Sequence, residues 1–234
     1  MSEAFAVLEG LLLAAASGAV RVALVPGMPV ALEPLGDSLL LVCCVDPPKV
    51  VLLSGERWSQ EVLEGEFLEP QGIATTPEGV LICDRLGDCV WTGFPAPPDM
   101  LCLPGGPFSA VPVEWSDTGG TQTAVTLRDA GEVALMDRGR VKTLADLPGA
   151  RDLAQADMDL DGDHDMMVSC CGDGLYLLVR GGDRPPVIRI GILDGGVKGV
   201  VAADVDCDGL PDAVGIPCAR GGACWWRNPG GLAS

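Results

Sequence analysis

Pairs of short apolar segments recur along this chain, and a polar turn separates the two members of each pair. One copy reads GLLLAAASGAVRVALVPG, a later one reads DMMVSCCGDGLYLLVRGG, and six copies can be recognised. Short apolar runs bounded by turn residues are typical of β-hairpins rather than of helices. The sequence therefore predicts an all-β protein that is built from repeats.

The spacing of these copies indicates which all-β fold they form. The first apolar segments are centred on Leu12, Leu40, Leu81, Ala124, Met167 and Ala213, which lie 28, 41, 43, 43 and 46 residues apart. A period just above 40 residues accommodates one four-stranded sheet that buries its faces against neighbouring sheets, as in a β-propeller. We predict a single β-propeller domain over residues 1–234 with six short blades. Five blades plus a closing strand is the alternative, and a β-sandwich ranks third.

Two aspartate-rich loops interrupt the last two copies. Residues 157–165 read DMDLDGDHD and residues 204–212 read DVDCDGLPD, so both match DxDxDGxxD. Calcium takes six to eight oxygen ligands, and carboxylates at loop positions 1, 3 and 5 can all point inward while glycine at position 6 turns the chain. Carboxylates this close to one another repel unless a cation is present. The pattern therefore predicts two calcium sites.

The position in each loop assigns the ligands. The residue at position 9 completes the coordination shell of the ion with its carboxylate, and the residue at position 7 offers its main-chain carbonyl oxygen. The predicted ligands are Asp157, Asp159, Asp161, Asp163 and Asp165 in the first loop, and Asp204, Asp206, Asp208, Leu210 and Asp212 in the second. An apolar strand follows each loop, which argues against a helix–loop–helix site.

We place the two calcium-loop repeats at about 150–195 and 196–230, after a degenerate repeat at about 107–149. The degenerate repeat keeps the loop spacing but not its charge, with Glu114, Ser116, Thr118, Gly119 and Gln122 at positions 1, 3, 5, 6 and 9. No metal is expected there.

Charge limits the partners. The chain has 33 acidic and 15 basic side chains, for a net charge of -18, which repels phosphate backbones and anionic membranes. Nucleic acid is thus not expected as a partner. No apolar run is long enough to span a membrane. Residues 5–19 are apolar enough for an export signal, but acidic Glu3 and Glu9 argue against one, and we interpret the stretch as β-structure.

Ten cysteines allow disulfides without requiring them. Cys83 with Cys89, and Cys218 with Cys224, flank turns across which a hairpin disulfide can form. The adjacent pairs Cys43–Cys44 and Cys170–Cys171 lie in apolar strands, where we interpret them as small buried hydrophobic residues.

The segments QADMDLDGDHDMMV and VVAADVDCDGLPDAVG, the latter followed by CWWRNPG, resemble the FG-GAP or VCBS repeat family. In the N-terminal half, PQGIATTPEGVLICD is similar to an NHL-type propeller strand pair. The resemblance implies calcium held by the eight aspartates at loop positions 1, 3, 5 and 9. Family members occur in adhesion receptors, in lectins and beside secreted enzymes, which implies an extracellular or periplasmic location. A cytoplasmic location is the alternative, because no clear signal peptide is seen.

We therefore expect a monomeric calcium-binding propeller that acts as a non-catalytic protein- or carbohydrate-binding module. Trp225 and Trp226 offer surfaces for stacking on a sugar, but strand alternation sends them to opposite faces, so at least one belongs to the core. The alternatives are a metal-dependent enzyme of the lactonase or lyase kind and a purely structural scaffold. The enzyme has little support, because the only histidine, His164, lies inside a metal loop.

Overall fold

The structure, a computed structural model, describes two compact units, residues 1–102 and 103–234. Its described ranges are 4–8, 11–16, 19–24, 28–35, 39–54, 59–63, 65–77, 79–94, 99–115, 120–182, 184–219 and 221–230, and the first three are described by their backbone alone. These residues form six antiparallel sheets in which each strand pairs with the next one along the chain. No helix among them is long and apolar enough to cross a membrane.

The N-terminal unit contains three sheets. An N-terminal sheet is made of β1 (Ala4–Leu8), β2 (Leu11–Ala16) and β3 (Ala19–Leu24). Blade 1 is made of β4 (Pro29–Leu35), β5 (Leu39–Val45), β6 (Pro48–Ser54) and β7 (Ser59–Val62). Blade 2 is made of β8 (Pro70–Thr76), β9 (Gly79–Asp84), β10 (Cys89–Phe94) and β11 (Asp99–Cys102).

The C-terminal unit contains the other three sheets. Blade 3 is made of β12 (Pro107–Val113), β13 (Gln122–Leu127), β14 (Glu132–Asp137) and β15 (Arg140–Asp146). Blade 4 is made of β16 (Ala150–Ala156), β17 (Asp165–Cys170), β18 (Gly174–Leu178) and β19 (Val187–Ile192). Blade 5 is made of β20 (Val197–Ala203), β21 (Asp212–Pro217) and β22 (Cys224–Trp226).

Each predicted hairpin is an antiparallel strand pair in the structure. The apolar segments of the six copies form the pairs β2–β3, β5–β6, β9–β10, β13–β14, β17–β18 and β21–β22. The prediction of an all-β repeat protein is therefore confirmed. The first and last sheets each have three strands among the described residues.

The predicted number of six blades is wrong, because the structure supports five. The first copy of the repeat forms the separate N-terminal sheet, whose side chains lie outside the described residues. Only 28 residues separate this copy from the next, which leaves room for three short strands but not for a full blade. The five-blade alternative gives the correct number, although the N-terminal copy is a three-stranded sheet rather than one closing strand.

Blade 4 shows how alternation along a strand fills the core on both sides of a sheet. All six residues of β17 are buried. Met166, Val168 and Cys170 pack in a cluster with residues of blade 3, whereas Met167 packs in a second cluster with residues of blade 5. Successive side chains of a strand point to opposite faces, so a strand between two neighbouring sheets must be apolar on both faces. Blade 4 is thereby held between its two neighbours.

Candidate metal centre

Both aspartate loops connect the first strand of a blade to its second strand. Residues 157–164 join β16 to β17, and residues 204–211 join β20 to β21. Ala156 pairs with Asp165 across the base of the first loop, and Ala203 pairs with Asp212 across the base of the second. Strand register therefore fixes where each loop begins and ends.

The two loops have matching backbone angles at two positions. The fourth position has a positive φ in both, 62° at Leu160 and 61° at Cys207. The glycines at position 6 follow with φ of 95° at Gly162 and 89° at Gly209. A positive φ strains a side chain-bearing residue, and glycine avoids that strain. This explains why each loop has glycine at position 6, as the motif predicts.

Side chains at position 1 hold the turn together. The amide of Gly162 donates to Asp157 Oδ2, and the amide of Gly209 donates to Asp204 Oδ2, both at 3.0 Å. At position 7, the amides of Asp163 and Leu210 each donate to the aspartate two residues before, both at 2.9 Å. The loops thus fold around their own carboxylates.

Three predicted ligands come together in each loop. Asp157, Asp159 and Asp161 place one carboxylate oxygen each within 4.8 Å of one another, and Asp204, Asp206 and Asp208 do the same. Asp157 and Asp159 are partly buried, whereas all three members of the second cluster are exposed. Three carboxylates at this separation repel one another unless a cation neutralises them.

One atom of the first cluster is unsatisfied. Asp157 Oδ1 is buried and has no hydrogen-bond partner. A buried carboxylate oxygen without a partner is costly, and coordination of a cation would remove that cost. In the second loop, Asp204 Oδ1 instead accepts from the amide of Asp208 at 3.1 Å. Both clusters offer only oxygen ligands, which fit a hard cation such as calcium. The first loop fits such a cation better, because, of the two clusters described, only its own contains a buried oxygen without a partner.

The aspartates at position 9 have a second role that the sequence did not reveal. Asp165 is buried, and its two oxygens accept from the amides of Met158 at 3.1 Å and Arg180 at 2.8 Å. Burial raises the pKa of this carboxyl, and the charges of Asp159 and Asp161 act in the same direction. Asp165 thus ties its loop to the end of β18, and its service as a ligand stays a prediction.

Asp212 repeats this arrangement in blade 5. Its oxygens accept from the amides of Val205 at 3.1 Å and Asn228 at 2.7 Å. The bond from Asn228 lowers the pKa of the Asp212 carboxyl. In both blade 4 and blade 5, two main-chain amides thus donate to the aspartate at position 9, so this pair of hydrogen bonds is a feature of the repeat.

Arginines contact the two loops differently. Arg180 pairs with Asp163, whose side chain is not part of the first cluster. Arg227 instead pairs with two members of the second cluster, Asp206 at 2.7 Å and Asp208 at 2.9 Å. The second loop therefore has a protein cation beside its carboxylates, and the first cluster has none among the contacts described.

The degenerate loop in blade 3 is described only in part. Ser116, Thr118 and Gly119 lie outside the described residues, while Glu114 follows β12 and Gln122 begins β13. Within the portion of the chain that the structure describes, no third group of three acidic, histidine or cysteine side chains is gathered closely enough to hold a metal.

A cavity of about 430 Å³ opens beside the first loop, between blades 3 and 4. Its polar lining consists of Glu114, Thr121, Gln155, Asp163, His164 and Arg180. Its volume lies within the usual range of about 300–1,000 Å³ for small-molecule sites. Sequence reasoning missed this cavity because its walls come from two different blades.

Comparison with solved structures agrees with the sheet topology. A chain in the crystal structure of a nidogen/laminin complex matches with a TM-score of 0.64 and 12% identity, over 91% of this chain and 84% of that one. The extracellular domain of a putative one-component system from B. thetaiotaomicron matches with a TM-score of 0.60 and 11% identity. Apo AztD from Citrobacter koseri matches with a TM-score of 0.54 and 13% identity.

The chain folds as a β-propeller. This likeness covers 91% of the chain for the B. thetaiotaomicron domain and 88% for AztD, although the chain spans only 31% and 61% of those two proteins. At such low identity, the matches concern the fold alone. No family model and no curated protein matches the sequence, so no family match supports the FG-GAP, VCBS or NHL resemblance.

Proposed function

We propose that this chain is a calcium-binding β-propeller module that recognises a protein or a glycan without catalysis. The observation that carries the proposal is the repeated loop. Two loops 47 residues apart have matching positive φ angles at positions 4 and 6, and each gathers three carboxylates whose oxygens lie within 4.8 Å of one another. An acidic surface turn has no need for such a precise repetition, whereas a cation site does.

The proposed ligands are those at positions 1, 3, 5, 7 and 9 of both loops. We rank the first loop as the tighter site for two reasons. Asp157 Oδ1 is buried without a partner, and no arginine pairs with Asp157, Asp159 or Asp161 in the contacts described. In the second loop a calcium ion must compete with the guanidinium of Arg227.

The cavity beside the first loop supports a binding role. Residues 162–164 of this loop form part of its wall, so a cation that rigidifies the loop also fixes the wall. Acidic, amide, hydroxyl and imidazole groups face the cavity, which suits a ligand rich in hydroxyl groups. Trp225 is 46% exposed and offers a second surface, whereas Trp226 is partly buried and packs against the core cluster of blades 4 and 5.

We further propose that the propeller is one domain, that it acts as a monomer, and that it works in an extracellular or periplasmic compartment. One structural neighbour is an extracellular domain, and another belongs to a complex of nidogen with laminin. Extracellular calcium modules work with dissociation constants of about 10⁻⁴ to 10⁻³ M. The net charge of -18 argues against nucleic acid as the partner.

Thermal unfolding with calcium, with magnesium and with a chelator tests the metal. A ligand that binds only the folded state stabilises it by about 2.7 kcal/mol at 100 times its dissociation constant. For a chain of this size, that corresponds to a rise in Tm of about 5 to 10 °C. We expect this rise with calcium and a smaller one with magnesium. Equal melting curves with calcium and with chelator would refute the proposal.

Three matched variants locate the sites. Asp157→Asn and Asp204→Asn each remove one charge from a loop, and Asp194→Asn removes one charge from an exposed turn of the same unit. Calcium titration by calorimetry should show the loss of one site in each of the first two variants and two intact sites in the third. A similar loss in all three variants would mean that general charge, rather than the loops, attracts the ion.

A glycan array in calcium and in chelator tests the binding role. If calcium orders the recognition surface, Asp157→Asn and chelator should both abolish the signal. His164→Ala should weaken the signal while leaving the calcium-induced rise in Tm intact. The scaffold alternative predicts another result, in which Asp157→Asn lowers Tm and leaves the affinity for every bound glycan unchanged.

A further inference from the structure

The thiols of Cys171 and Cys218 lie side by side where blade 4 meets blade 5. Their Sγ atoms are 2.6 Å apart. Cys171 directly follows β17, and Cys218 directly follows β21, so the two residues occupy matching places in consecutive blades. Both are partly exposed, in contrast to Cys170, which is fully buried.

The main chain holds the two cysteines in this position. Cys171 forms an isolated β-bridge with Gly196, and the amide of Cys218 donates to the carbonyl oxygen of the same glycine at 2.9 Å. Gly196 has a φ of 76°, and a Cβ atom there would lie 2.2 Å from the amide nitrogen of Gly172. Only glycine permits this approach, so the local backbone fixes the distance between the blades.

We propose that Cys171 and Cys218 form a thiol–disulfide site that links blade 4 to blade 5 when the protein meets a small-molecule disulfide such as glutathione disulfide. A sulfur–sulfur bond measures about 2.05 Å, so the two thiols need to move only slightly to form it. The bond would close a loop that begins at Cys171 and ends 47 residues later.

The surroundings assign different roles to the two sulfurs. Arg151 Nη1 donates to Cys171 Sγ at 3.6 Å, so the guanidinium lies beside this sulfur. Burial and the contact with Cys171 raise the pKa of Cys218 to about 11, so Cys218 keeps its proton near neutral pH. Cys171 lines a cavity of about 310 Å³ through which a small oxidant can reach its sulfur, and we therefore assign Cys171 as the attacking residue.

The reaction balances in two exchange steps. Cys171 loses its proton to solvent, and its thiolate attacks one sulfur of glutathione disulfide, which forms a mixed disulfide and releases one glutathione thiolate. Cys218 then loses its proton to solvent and attacks Cys171 Sγ, which releases the second glutathione thiolate. The two protein thiols are oxidised by two electrons, and the glutathione disulfide is reduced to two thiols.

The hairpin disulfides that the sequence allows are less well placed. Cys83 lies opposite Val90 in the register of β9 and β10, and Cys224 lies opposite Gly215 in the register of β21 and β22. Cys83 therefore does not face Cys89, and Cys224 does not face Cys218. The structure keeps all ten cysteines as free thiols and brings Cys171 and Cys218 together instead.

Non-reducing peptide mapping of the full chain tests the proposal. The purified protein is treated with glutathione disulfide, excess thiol is blocked by alkylation, and the chain is cut with trypsin. Residues 152–180 and 199–220 are expected as one cross-linked species that a reductant separates. Cys171→Ser and Cys218→Ser should each abolish it. Cys170→Ser and Cys207→Ser alter the other cysteines of the same two peptides and should each preserve it.

The oxidised wild-type protein should also melt about 5 to 10 °C above the reduced protein, because the cross-link restricts the unfolded chain. That difference should vanish in Cys218→Ser and persist in Cys207→Ser. Alkylation of both thiols in the wild type, with no cross-linked peptide after oxidation, would overturn the proposal without need of any variant. A cross-link that survives in Cys171→Ser would overturn it as well.

Discussion

Asn228 Nδ2 donates a hydrogen bond of 2.8 Å to the carbonyl oxygen of Met158, and this bond ties the end of blade 5 to the first aspartate loop in blade 4. The same amide group donates to the carbonyl of Pro211, next to the second loop, at 3.1 Å. Asn228 Oδ1 accepts from the amide of Gly230 at 3.0 Å. Asn228 is only 2% exposed, so a single buried side chain satisfies main-chain groups at both loops.

Removing this side chain should loosen both loops. Asn228→Ala leaves the carbonyls of Met158 and Pro211 without this donor, and an unsatisfied buried group costs about 1–3 kcal/mol. We expect the free energy of unfolding, measured in urea, to fall by that amount. Ile192→Ala, on the 73% exposed Ile192 of blade 4, serves as the control and should change it by less than about 0.5 kcal/mol. An equal effect of both changes would show that the Asn228 contacts contribute nothing.

Two glycines separate loop strain from metal binding. Gly162 in the first loop and Gly172 in the hairpin turn after β17 have φ of 95° and 89°, and a Cβ atom at either one would meet no neighbour within 4 Å. Gly162→Ala and Gly172→Ala should therefore each lower the free energy of unfolding by about 1–2 kcal/mol through strain alone. Only Gly162→Ala should also weaken calcium binding in calorimetry, because it disturbs the turn around Asp157. Equal loss of affinity in both variants would contradict the assignment of the site.

The sequence predicts most of the local structure and little of what joins one blade to the next. The hairpins and the two loops follow from strand alternation, turn residues and aspartate spacing, which all act over a few neighbouring residues. Asp165 also ties its loop to the main chain after β18 through the amide of Arg180, which is 15 residues away in the sequence. The loop motif contains no signal that predicts this hydrogen bond. The contact of Asn228 with Met158 spans 70 residues and was missed for the same reason.

The proximity of Cys171 and Cys218 had a signal that sequence reasoning passed over. The two aspartate loops are 47 residues apart, and so are these two cysteines. Equivalent residues of consecutive blades lie close together wherever the sheets approach, so the period itself indicated the contact. Reading each hairpin alone led to the pairings Cys83–Cys89 and Cys218–Cys224.

Asp152 on β16 links three consecutive blades through its carboxylate. Its Oδ1 accepts from the hydroxyl of Ser109 on β12 at 2.8 Å, and its Oδ2 accepts from the amide of Val200 on β20 at 3.1 Å. Burial raises the pKa of this carboxyl, although both hydrogen bonds act in the opposite direction. The folded protein therefore holds a proton on Asp152 more tightly than the unfolded chain does.

The stability contributed by Asp152 should consequently depend on pH. It is fully present below the ordinary Asp pKa of about 3.9 and is lost as the pH rises through the raised pKa. Asp152→Asn can accept from Val200 and donate to Ser109, so it keeps the links while removing the titration. Urea unfolding in calcium-free buffer from acidic to neutral pH should show a smaller loss of stability in Asp152→Asn than in the wild type. Asp194→Asn, which alters an exposed carboxylate, should show the same pH dependence as the wild type. If the free energy of unfolding changes with pH to the same extent in all three proteins, the proposed role of Asp152 is wrong.

Arg227 should act as a built-in competitor of calcium in the second loop. Its guanidinium contacts Asp206 and Asp208, and these contacts raise the pKa of Arg227, as expected for a cation held by carboxylates. The test uses an Asp157→Asn background, in which the first site is disabled. There, Arg227→Gln should raise the calcium affinity of the second site several-fold, because calcium is no longer repelled by the guanidinium and no longer has to displace it. The gain in affinity should shrink at high ionic strength, which screens exposed charges.

Arg180→Gln supplies the matched control, since Arg180 contacts Asp163 and not the first cluster. In an Asp204→Asn background, this change should leave the calcium affinity of the first site nearly unchanged. Calorimetry that finds the second site weakened by Arg227→Gln would show instead that Arg227 organises the carboxylates for the ion, and the ranking of the first loop as the tighter site would then rest on the orphaned Asp157 Oδ1 alone.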